Sequence, residues 1–70
     1  MPSRADVEES QFVGETYKNF GELYEDKEDY QESIEYYEKA LPLLSKSLGI
    51  NHKEVKDISN KISELKAKVQ

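Results

Sequence analysis

Residues 17–40 read YKNFGELYEDKEDYQESIEYYEKA, and their spacing decides the fold. Tyr17, Phe20, Gly21 and Tyr24 fall three and four residues apart, as do Ser33, Tyr37 and Ala40, so each set marks one face of a helix. Gly21 and Ala40 let two helices approach closely, while the aromatic residues fill the space beside them.

The helical pattern extends outward from this stretch. Ser3 with Asp6 three residues later is a capping pair, and Val13, Tyr17, Phe20 and Tyr24 continue a stripe, predicting a first helix from about residue 4 to Lys27. Asp29 with Glu32 repeats the capping arrangement and opens a second helix. Its apolar stripe is Tyr30, Ile34, Tyr37, Leu41, Leu44 and Leu48, ending at Gly49, a residue suited to the left-handed backbone that often follows a helix. Asn51 with Glu54 is a third capping pair, before Val55, Ile58, Ile62, Leu65 and Val69. Pro42 interrupts the second helix, where an interior proline costs about 3 kcal/mol. A kink near residues 38–42 is expected, the alternative being a break that leaves 43–48 as a separate turn.

Tyr17, Phe20, Gly21 and Tyr24, then Ser33, Tyr37 and Ala40, closely resemble the tetratricopeptide repeat, a helix-turn-helix unit. Six or seven of eight positions agree: Tyr17 stands where the family prefers tryptophan, Ser33 where it has alanine, and Ser45 where its common form has proline. Leu48, Gly49, His52 and Val55 resemble the longer variant of about 42 residues found in kinesin light chains, with Lys53 replacing a proline. Asn60 also falls where that variant often carries asparagine. Glu28 sits where the family's turn usually has glycine, which implies strain or another geometry there.

The resemblance implies an all-α protein: an antiparallel helix-turn-helix hairpin over 14–49 and a C-terminal capping helix over 52–69. Residues 1–13 are expected to be an N-terminal extension, helical from about residue 4, and 1–70 a single domain. Advancing Tyr17, Gly21 and Tyr24 by one repeat of 42 reaches Ser59, Ser63 and Lys66, which do not renew the packing code. A polar cap is what the last face of a repeat array requires.

Composition narrows the function. The net charge is -5, yet residues 1–51 hold twelve acids against five bases, and residues 52–70 hold five lysines against three acids. The acidic majority opposes nucleic acid. No apolar run approaches the roughly 20 residues of a membrane span. The N-terminus lacks the apolar core of a signal peptide, so a cytoplasmic protein is expected. Without cysteine and with His52 the only imidazole, no metal site or cofactor is indicated. His52 reads as a capping or packing residue, and no catalytic residue is assigned. Most tyrosines belong to the core, Tyr36 being the surface candidate.

The family resemblance implies a non-catalytic interaction module, an adaptor or scaffold, whose partner-binding positions are Glu15, Lys18, Glu22, Glu25 and Asp26 on the first helix. Four of these five are acidic, pointing to basic protein segments; the alternative is that they only solvate an exposed helix. Lys18 occupies a place at which related repeats grip a terminal carboxylate, but Glu22 repels such a ligand. A second reading is self-assembly into a homo-oligomer by exposed repeat faces or helix exchange, because a single repeat leaves an apolar flank unmatched.

Overall fold

The computed structural model is described here for residues 3–69. Met1, Pro2 and Gln70 lie outside it, and with them the first two residues of the expected extension. Three helices follow in order: α1 (Arg4–Asp26), α2 (Tyr30–Leu48) and α3 (Lys53–Val69). α2 lies between the other two.

The start of α1 is the expected capping box. The Ser3 hydroxyl accepts from the Asp6 N–H at 3.2 Å, and the Asp6 carboxylate accepts from the Ser3 N–H at 3.4 Å. The helix ends in a Schellman closure: the Glu28 N–H donates to the Glu25 carbonyl at 3.0 Å, and the Asp29 N–H reaches back to Tyr24 at 2.9 Å. This closure places Glu28 at φ 64, the left-handed position usually given to glycine.

Asp29 is the N-cap of α2, but its carboxylate makes no capping bond. The sequence expectation of a second Asp–Glu capping pair is therefore corrected. Its backbone is shared with the closure of α1, which leaves it at ψ 70 where the functioning cap Ser3 has ψ 163.

Pro42 sits inside one continuous helix, so the alternative of a break is excluded. Pro42 has no N–H to offer the Glu38 carbonyl, but both residues are exposed and water can serve that oxygen. Just beyond it, fully buried Leu44 anchors the second half of the helix in the core.

Gly49 ends α2 at φ 97 and ψ 149, a positive φ with an extended ψ instead of the expected left-handed helical pair. α3 starts one residue later than the Asn51–Glu54 pairing supposes. Its N-cap is His52, whose Nδ1 accepts from the Glu54 N–H at 3.1 Å and whose carbonyl accepts from Lys56 at 3.1 Å.

The core comprises Ile34, Tyr37, Ala40 and Leu44 of α2 with Val55, Ile58, Ile62 and Leu65 of α3. From α1 the buried residues are Ser10, Gly14 and Gly21. The expected α1 stripe of Val13, Tyr17, Phe20 and Tyr24 is thus only flanking, and the helix meets α2 through small side chains. A Cβ on Gly14 would stand 2.9 Å from Leu44, and one on Gly21 would stand 2.9 Å from the Tyr37 ring. Buried Ser33 donates its hydroxyl to the Gly21 carbonyl at 2.6 Å.

Tyr36 is corrected from surface candidate to packing residue. Its ring stacks on Tyr24 at 5.3 Å and 4°, and lies 5.3 Å from Phe20 and 6.1 Å from Tyr17. Because α1 offers only small residues at its centre, the aromatics of both helices meet along the flank, where Lys39 sits over the Tyr17 and Tyr36 rings.

Candidate functional site

α1 and α3 both pack on α2 and leave a groove between them of about 410 Å³. Tyr37 and Ile58 are its buried lining residues. Lys18 and Glu22 come to it from α1; His52 precedes α3, which adds Lys53, Glu54, Asp57 and Lys61.

Two ion pairs cross this groove. The Lys18 ammonium is hydrogen-bonded to the Glu54 carboxylate, and Lys61 donates to Glu25 at 3.0 Å. The other oxygen of Glu25 accepts from the Tyr37 hydroxyl at 3.0 Å, so one carboxylate ties α1 to both other helices. The hydrogen bond to Glu54 raises the Lys18 pKa above its ordinary value, assisted by the charges of Glu54, Glu22 and Glu15. The bond to Glu25 raises Lys61 in the same way. Burial, then the bond to Glu25, pushes the Tyr37 phenol well above the usual tyrosine range.

Of the five residues singled out on α1, Lys18 and Glu25 are therefore engaged within the chain. Glu15, Glu22 and Asp26 make no ion pair among the described residues. Glu22 lines the groove, and the Asp26 carboxylate acts on Tyr37 through space. The contribution of α3 was missed, since a terminal helix was expected only to cover the hairpin. The spacing Glu54, Asp57, Lys61 beside the apolar stripe was the available signal: steps of three and four put them on one flank.

With Lys18 and Lys61 paired, the groove lining carries the carboxylates of Glu22 and Asp57 against the ammonium of Lys53, while Glu15 and Asp26 lie on α1 outside that lining. Nothing in this arrangement pairs a nucleophile with a base. It offers a charged cleft with an aromatic floor.

A helical hairpin closed by a third helix, with a cleft between its first and third helices, defines a helical-repeat architecture. The tetratricopeptide repeat model matches residues 12–68, and the chain belongs to that family. The matched span takes in the hairpin and most of α3, in keeping with the longer kinesin-light-chain-like form. Comparison with curated proteins and with solved structures returned no match. The family serves protein–protein contacts and is generally non-catalytic. Among the described residues no helix is long and apolar enough to cross a membrane.

Proposed function

We propose that this chain is an adaptor-like module that takes a basic peptide segment into the groove between α1 and α3. The observation carrying this reading is the surplus of carboxylates left once Lys18 and Lys61 are paired: Glu15, Glu22 and Asp26 on α1 and Asp57 on α3. A lysine or arginine of the partner lies between Glu22 and Asp57, with its aliphatic stem over Tyr37 and Ile58. Charge complementarity then sets encounter rate and specificity more than affinity.

Fluorescence anisotropy with a labelled Lys/Arg-rich peptide, against an acidic peptide of equal length, tests this. The basic peptide binds, the acidic one does not, and Glu22→Lys or Asp57→Lys weakens binding while leaving the fold intact. Equal binding of both peptides, or no response to either variant, overturns the reading.

A second reading, self-association, is favoured by a separate observation, the apolar outer side of α1. Phe12 and Leu23 are 73% and 51% exposed there. It does not depend on the groove.

A further inference from the structure

α1 carries a second stripe that the hairpin covers only in part, through half-buried Val13 and through Phe20, whose ring meets Tyr36. Glu9, Val13, Thr16, Phe20, Leu23 and Lys27 follow at steps of four, three, four, three and four, the spacing of a coiled-coil seam. It lies away from the Ser10, Gly14, Gly21 face that meets α2. Leu23 and Phe20 are 51% and 43% exposed, and Phe12, nearer the N-terminus of the helix, is 73% exposed. The outward side of α3 has no apolar counterpart: its exposed residues there are Lys53, Lys56, Asn60, Ser63 and Ala67. Stacking one copy's α1 on another's α3 would bury the seam against polar groups.

We propose that the seam pairs with the same seam of a second copy, the two α1 helices antiparallel about a two-fold axis level with residue 18. The proposal rests on the self-association reading and adds the face, direction and register. The ends of the seam decide the direction. Antiparallel pairing sets Glu9 against Lys27 of the second copy, twice, whereas parallel pairing sets Glu9 against Glu9 and Lys27 against Lys27. The same register brings Val13 onto Leu23 of the second copy, Thr16 onto Phe20, and Phe12 beside Tyr24. An isologous contact of this kind closes at two copies. Glu15 and Glu22 lie on the groove side of α1, so the groove stays open in the dimer.

Sedimentation of the whole chain, from about 5 µM to about 1 mM, reads the association, with circular dichroism confirming that each variant stays helical. A concentration-dependent dimer is expected. Leu23→Glu raises its Kd at least about tenfold. Glu9→Lys and Lys27→Glu each raise it roughly three- to tenfold, and combining them restores it. A monomer at every concentration overturns self-association altogether. A dimer insensitive to Leu23→Glu, or weakened as much by the double reversal as by either single one, leaves self-association standing and overturns this seam or its direction.

Discussion

Ser33 and Gly21 lock the hairpin: the Ser33 hydroxyl donates to the Gly21 carbonyl at 2.6 Å, inside the contact between α1 and α2. The bond forms because Gly21 has no side chain to hold the helices apart. The Tyr37 ring occupies the space a Cβ would take, and its hydroxyl is fixed by Glu25.

Two substitutions separate these effects. Ser33→Ala keeps the volume nearly unchanged and removes one hydrogen bond, a loss of about 1 kcal/mol. Gly21→Ala forces the Tyr37 ring aside, at about 1 to 3 kcal/mol, partly offset by the better helix propensity of alanine. Urea denaturation should rank Gly21→Ala as the more damaging. In a chain of this length total stability is on the order of 5 kcal/mol, so both shifts are measurable.

Glu28 and Gly49 should respond in opposite directions. Glu28 pays a left-handed backbone at φ 64, so Glu28→Gly relieves roughly 1 to 2 kcal/mol of strain and returns part of it as unfolded-state entropy. A net gain of up to about 1 kcal/mol is expected. Gly49 meets nothing within 4 Å at its missing Cβ, yet its φ of 97 with ψ 149 disfavours any side chain. Gly49→Ala should cost about 1 to 3 kcal/mol through backbone strain alone. Thermal unfolding of the two variants checks the signs.

The chain should lose stability in alkali. Lys18 and Lys61, ordinarily at 10.5, and Tyr37, ordinarily at 10.0, are all raised in the folded state. The unfolded chain therefore releases these protons first. Their contribution is fully present below about pH 10 and is lost as pH rises through the raised values. Tyr37→Phe removes the phenol that ionises on unfolding, so stability measured between about pH 9.5 and 11.5 should fall less steeply in the variant. An unchanged slope would show that Tyr37 is not held as described.

The cap on α3 is testable by exchange. His52→Ala removes the ring nitrogen that accepts from Glu54 and should cost about 1 kcal/mol, whereas His52→Asp or His52→Ser retains an acceptor and should lose little. Substituting Asn51, which is exposed in the preceding turn, should have almost no effect on thermal unfolding.

The helices were legible in the sequence because apolar spacing and capping residues agree over long stretches, as at Ser3 and Asp6 or from Val55 to Leu65. The failures have physical causes. Asp29 looks like a cap, but its backbone is committed to closing the previous helix. His52 displaces Asn51 because helix starts are fixed by one residue, which spacing does not resolve. Tyr36 looked solvent-facing because its neighbour Tyr37 points to the core, yet a large ring beside a small-residue contact reaches the rings of the other helix. Glu22 could be placed on an exposed side of α1 from spacing alone, but the crossing pairs Lys18–Glu54 and Glu25–Lys61 span 36 residues and depend on tertiary placement. That placement pairs Lys18 and Glu25 within the chain and brings Asp57 into the groove.

The most direct test of the central claim is an amide NMR titration of the whole chain with an unlabelled Lys/Arg-rich peptide. Saturable shifts concentrated at Glu15, Glu22, Asp26 and Asp57, with the outer α1 residues Phe12 and Leu23 unmoved, are the predicted result. Unperturbed signals along that groove, or shifts confined to Phe12 and Leu23, would contradict it.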